Sequence, residues 1–273
     1  MTEQQKWTPA PNIFLGFNST SSGNVLNVSG GNLYATNATS SGAVDVRRGT
    51  LTLNSGTVVV NQLYLTNNAS SVMTFSAGLL QSGGSTVSNG VTFAVGDGVQ
   101  SATLDLLGGT HRFASGLSIS TNGNLIGNAS IIGSVTNFGT IAPGHSVGTI
   151  NITGGLTLTN TSELDFEIAG PSTNDHLDIS GLLVASGALK VTLTNGYTGS
   201  IGDTFDLFSF GSISGMFSQT NLPTLGGGLQ WETSQLYTLG DISVTGVSEP
   251  GIAALLALGL AALGARRRVK SSK

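Results

Sequence analysis

Apolar residues along this chain recur at every second position, in short runs broken by glycine and asparagine. Thr50-Leu-Thr-Leu-Asn-Ser-Gly-Thr57, Val72-Met-Thr-Phe-Ser-Ala-Gly-Leu79 and Thr103-Leu-Asp-Leu-Leu-Gly-Gly-Thr110 are three such runs. Successive strand side chains point to opposite faces, so this spacing predicts short β-strands with one buried face. The glycines after each run supply turns that need positive φ. Gly116-Leu-Ser-Ile-Ser120, Asn124-Leu-Ile126 and Ser130-Ile-Ile-Gly-Ser-Val-Thr136 continue the alternation, and no stretch before residue 247 has helical periodicity.

Leu53, Phe75 and Leu106 hold corresponding places in the three runs, 22 and 31 residues apart. Units of that length stacked on their neighbours predict the coils of a solenoid. The expected fold is all-β: a parallel β-helix or β-solenoid with a C-terminal β cap, followed by one short hydrophobic helix. A β-sandwich of equally short strands is the structural rival. The expected organisation is an N-terminal segment over 1–23, solenoid coils over 24–160, a capping segment over 161–246 and a distinct tail over 247–273. A cap is needed because the open end of a solenoid exposes unpaired backbone groups.

Composition sharpens this picture. Only 9% of residues are charged, whereas Ser, Thr and Asn are plentiful among Val, Leu and Ile, so the surface is polar but weakly charged. Such a surface suits stacking, because equivalent side chains on adjacent coils lie only about 4.8 Å apart. Five of the ten basic residues occupy the last eight positions, leaving residues 1–248 with 5 basic and 13 acidic groups, a net −8. That excludes the basic face a nucleic-acid partner requires. The absence of Cys excludes thiol chemistry, thiolate metal sites and disulfides. The opening MTEQQKWTPAPNIFLGF has no apolar run of signal-peptide length, and a truncated start is expected.

The tail VSEPGIAALLALGLAALGARRRVKSSK has three parts in order. Ser248, Glu249 and Pro250 form an acidic-proline element. Ile252 to Ala265 is an apolar run carrying Ile252, Leu255, Leu256, Leu258, Leu260 and Leu263. Arg266, Arg267 and Arg268 open a basic cluster. As a helix the run rises about 21 Å, short of the ~30 Å hydrocarbon core, so it is marginal as a permanent span. The basic cluster orients it with the body outside and the tail inside.

This arrangement resembles the PEP-CTERM sorting signal, in which a Pro-Glu-Pro motif precedes a membrane helix and an Arg cluster. Position 248 is Ser where that family most often has Pro. The resemblance implies that the chain is the substrate of an exosortase, which cuts near the motif and releases the protein or transfers it to the surface. It implies membrane attachment through the C-terminus and then a surface or extracellular location in a Gram-negative envelope. Exopolysaccharide is the candidate matrix partner.

The body adds further resemblances. Residues 133–153, GSVTNFGTIAPGHSVGTINIT, resemble the last coils of autotransporter-type passenger domains, where a Pro-Gly loop ends the stack. Residues 175–218 resemble the capping segment that follows, and Gly228 to Val244 resembles the strand pair that precedes a PEP-CTERM signal.

Chemistry is sparse. Glu163, Asp165 and Glu167 alternate with Leu164, Phe166 and Ile168, which places three acids on one strand face as a candidate cation face or a paired-carboxylate site for glycoside hydrolysis. The plainer reading is a solvated face. Asp175-His176-Leu-Asp178 offers a base or ligand, but His111 and His145 are distant in sequence. No G-x-S-x-G element lies on a strand-to-helix turn, no phosphate-binding loop or thiolate metal site is present, and no cofactor or metal is expected. Sequons such as Asn27-Val-Ser29 follow from composition. The expected function is non-enzymatic, structural or adhesive. The alternatives are a carbohydrate-active β-helix enzyme (lyase or hydrolase) and a permanently anchored membrane protein.

Overall fold

The structure, a computed structural model, describes residues 12–247. The sorting motif at 248–250, the apolar run at 252–265 and the arginines at 266–268 lie outside the described residues. The chain is an all-β parallel solenoid, as the alternation predicts; among the described residues the one helix is a single 3-10 turn, Asn68–Ser70.

Each turn of the solenoid contributes strands to three faces, and the inward residues stack as apolar ladders. One ladder runs Leu33, Val58, Leu80, Leu104, Leu125, Ile141, Leu164 and Leu189. A second runs Phe93, Leu117, Val135, Leu156, Leu183 and Ile213. Most of these side chains are completely removed from water, each worth about 1.5–3 kcal/mol on burial. The third ladder, from Ile13, Val44 and Leu63 to Ile131, Ile152 and Ile179, contains a polar step at Ser85 and His111.

Successive residues of the first ladder are separated by 25, 22, 24, 21, 16, 23 and 25 positions. The inward strands keep register while the corners absorb the difference in length. Leu53 stacks on Phe75 as the 22-residue offset predicts, but Leu106 stacks on Ser82, on a different face. The 31-residue offset is therefore no coil repeat: glycine after an alternating run marks a corner without saying which one.

Parallel pairing continues past residue 160, through Glu163–Gly170, His176–Ala185 and Ala188–Leu193, to Phe208–Gly215 and Gln219–Asn221. The Pro143-Gly144 loop does not end the stack either; it swings outward, and pairing resumes at Thr149–Thr153. The cap is a separate antiparallel sheet with Asp241–Gly246 between Thr204–Asp206 and Leu229–Glu232. Aromatic side chains join it to the last coils. Phe205 meets Tyr197 and Trp231 with ring centroids 5.8 and 5.9 Å apart, and Phe217 meets Phe208 at 6.0 Å and Tyr237 at 6.1 Å.

Candidate functional site

The strand Glu163–Gly170 buries Leu164, Phe166 and Ile168 completely and turns Glu163, Asp165 and Glu167 outward. The three acids share a face, as their alternation requires. On the next coil Lys190 is the register partner of Asp165, and its Nζ donates to Asp165 Oδ2 at 2.7 Å. That hydrogen bond, with the surrounding carboxylates, pushes the Lys190 ammonium above its usual range.

The preceding coil leaves the ladder at Pro143, which has no N–H to continue it. Gly144 instead exchanges two hydrogen bonds with Gly127, at 2.7 and 3.1 Å. Gly127 sits at φ +96°, and a Cβ there would collide with the carbonyl of Leu106, so this position requires glycine. The loop then carries His145 back toward Asp105. His145 Nε2 lies 2.8 Å from Asp105 Oδ1, an ion-pair distance whose geometry falls short of a directed hydrogen bond. Asp105 is 2% exposed, and its other oxygen accepts from the Gln81 amide at 2.9 Å.

Asp175 closes the far side of the loop. Its Oδ1 accepts the Gly148 N–H and its Oδ2 the Glu167 N–H, both at 2.7 Å. With Asp175 only 1% exposed, burial outweighs these two donors, and together with the neighbouring Glu167 and Asp165 carboxylates it pushes the acid up to about 7. Between loop and strand remains a cavity of about 100 Å³, lined by Ala142 to Ser146, Asp165, Glu167 and Asp175. Its volume admits a few water molecules.

The other sequence candidates disperse. His176 turns to Asp206, with its Nδ1 3.2 Å from the backbone carbonyl and 3.5 Å from the carboxylate. Asp178 accepts from the Ser209 hydroxyl at 2.7 Å. His111 is fully buried in the third ladder, with Nε2 3.0 Å from the Gly108 carbonyl and Nδ1 3.1 Å from Ser85 Oγ. A carbonyl only accepts, so the proton sits on Nε2 and Nδ1 accepts from the Ser85 hydroxyl. Burial pushes the His111 pKa down and keeps the ring neutral. Among the described residues, no group of three His, Asp or Glu is placed to hold a metal ion.

The sequence pointed to Glu163, Asp165, Glu167 and Asp175 but missed the pairing of Asp105 with His145, 40 positions away. The available signal was Asp105 itself, a lone acid between inward leucines, together with a histidine directly after Pro-Gly.

Fold and site together define a β-solenoid whose charged side chains tie an outward loop to the coils beneath it. A scan of the chain against protein-family models finds no matching family, and a search of curated proteins finds no match.

Proposed function

We propose that this chain is a structural or adhesive protein of the bacterial surface or extracellular matrix, sorted through its C-terminal tail and processed by an exosortase. The observation that carries the reading is the order of the tail: Ser248-Glu249-Pro250, then the apolar run, then Arg266 to Arg268. In this reading the tail enters the membrane with its basic end inside, the body stays outside, and the cut near residues 248–251 is made by exosortase chemistry. Exopolysaccharide is the matrix partner, met by the Ser-, Thr- and Asn-bearing faces.

The body supports a structural role. Asp105, Asp165 and Asp175 are committed to internal links, and a parallel stack presents long polar faces of low charge. Glycoside cleavage is the less favoured reading, because the carboxyl best suited in pKa, Asp175, is buried and has both oxygens engaged by backbone N–H groups.

The test is the intact mass of the protein recovered outside cells of its native host. A C-terminus within residues 248–251 supports processing. Recovery only from membranes with Lys273 still present overturns it in favour of a permanent anchor.

A further inference from the structure

The tail joins the body at one end of the cap sheet. Gly246 is the register partner of Leu229, and the Val247 N–H donates to the Gly228 carbonyl at 2.7 Å. The fold is thus hydrogen-bonded up to the residue that precedes Ser248. Four residues, 248–251, separate Val247 from the apolar run that starts at Ile252. A chain spans at most about 3.6 Å per residue, so Val247 and Ile252 are at most about 18 Å apart. The headgroup layer of one leaflet alone takes about 5–8 Å of that. Wherever the apolar run enters a bilayer, this end of the cap is held at its surface.

The same end of the cap is apolar and carries no charge. Ile201 is 72% exposed and Val247 51%. They adjoin, because Ile201 Cδ1 lies 3.6 Å from the place a Gly246 side chain would occupy. The patch continues into a groove of about 600 Å³ whose lining includes Leu193, Tyr197, Pro223 and Leu229. Residues 191–202, 223–231 and 242–247, which build this end, contain no Asp, Glu, Lys or Arg. The acid next in sequence, Asp203, is engaged: its Oδ2 accepts from the Tyr197 hydroxyl and, at 2.7 Å, from the Ser200 N–H. The other acids of the cap sheet sit toward its far end, where Glu232 is the register partner of Ser243 and Asp206 that of Asp241. Along the strand those positions are about 10 and 17 Å from Gly246.

Charge decides what such a surface meets. Residues 12–247 hold 12 acids against Arg47, Arg48, Arg112 and Lys190, a net of −8. A carboxylate pressed into the headgroup layer loses hydration, whereas Ile and Val side chains gain by leaving water. Tyrosine is enriched in that layer, and Tyr197 lines the groove. The end of the cap joined to the tail is therefore the part of an acidic body that a bilayer surface accepts.

We propose that this end of the cap, centred on Ile201 and Val247, is a membrane-seating surface that rests in the headgroup layer while the tail is inserted. The proposal rests on the membrane reading of the tail and adds to it a contact made by the folded body. The chain is then held at two places, by the apolar run in the hydrocarbon and by the cap at the surface. Membrane binding scales with the apolar area buried, and a patch of this size does not hold the body once the tether is gone. A cut within residues 248–251 therefore also unseats the cap.

The experiment uses the full chain in vesicles of phosphatidylethanolamine and phosphatidylglycerol, doped with lipid carrying a nitroxide quencher just below the headgroup. The chain has no Cys, so single cysteines bearing a fluorophore report single places: Thr198→Cys at the groove, Leu258→Cys in the apolar run and Thr74→Cys on an early coil. Thr74 belongs to the coil of Leu80, five ladder steps and about 24 Å before Leu189. Fluorescence is expected to be lost at positions 198 and 258 and kept at 74. Adding Ile201→Glu and Val247→Glu, both at exposed positions, is expected to restore it at 198 and leave the loss at 258. Fluorescence kept at 198 with loss at 258 overturns the proposal while the membrane reading of the tail stands. Fluorescence kept at both removes the reading and the proposal together. Equal loss at 198 and 74 overturns the proposal by showing the body laid lengthwise on the bilayer. Loss at 198 that the double substitution does not change overturns it too, because the tether then acts without an apolar contact.

Discussion

Replacing Asp175 with asparagine tests whether burial or hydrogen bonding governs the loop anchor. In the folded chain this carboxyl is pushed from 3.8 up to about 7. An acid whose folded pKa is raised favours folding while protonated. Its contribution is complete below pH 3.8, declines as pH rises between 3.8 and about 7, and is constant above that. At 1.36 kcal/mol per pH unit, the interval corresponds to about 4 kcal/mol of stability lost by pH 8. The asparagine side chain has no proton to lose, but it offers one acceptor to the two N–H groups of Gly148 and Glu167 and leaves the other facing an amide NH₂, a cost of about 1–3 kcal/mol. Asp175→Asn is therefore expected to be more stable than the natural chain at pH 8 by about 1–3 kcal/mol and less stable at pH 4. Guanidinium unfolding followed by far-UV circular dichroism at pH 4, 6 and 8 measures both slopes. If the two proteins have parallel pH profiles, or if the natural chain gains stability relative to the variant as pH rises, the two N–H donors outweigh burial and the reasoning is refuted.

Leu104→Ala, at a position 1% exposed within the first ladder, is expected to cost about 2–5 kcal/mol in the same unfolding assay. Lys190→Met breaks the pair with Asp165, but both side chains are partly exposed, at 42% and 26%, so the change is expected to stay within about 1 kcal/mol. Gly127→Ala forces a Cβ against the Leu106 carbonyl at positive φ and is expected to cost about 1–3 kcal/mol. The same variant displaces the Gly144 bridge, so hydrogen–deuterium exchange at the Gly144 amide should accelerate; unchanged protection there would show that the loop is held without it.

The period-2 alternation made the strand class and the solenoid legible, because inward Leu, Val and Ile must recur on every coil. It did not reveal which strands stack. Spacings of 16 to 25 positions within one ladder blur any fixed period, and Leu106 resembles Leu53 and Phe75 locally while lying on another face. The expected change to a cap at residue 161 met the same difficulty: Glu163-Leu-Asp-Phe-Glu-Ile168 has one alternation whether its neighbours are parallel coils or an antiparallel sheet, and here they are coils. The strand pair expected within 228–244 is present as Leu229–Glu232 and Asp241–Gly246, where Trp231 and Val244 are paired across the ladder. At the candidate site the acids of one strand were legible because they are close in sequence. The Asp105 link was not, because a loop leaving the stack at Pro143 chooses its contact by geometry.

The aromatic layer at the C-terminal end has a consequence for the order of folding. A stack in which each coil contacts only its neighbours can nucleate at any well-packed unit and spread from there. Phe205, Phe208, Phe217, Trp231 and Tyr237 put such a packed place at the C-terminal end of the described residues, synthesised after the coils that precede it. If nucleation falls there, the coils synthesised first wait for a template synthesised after them, with their sparsely charged strands exposed in the meantime. That interval is then the aggregation-sensitive stage, and it lengthens with every coil placed upstream of the cap.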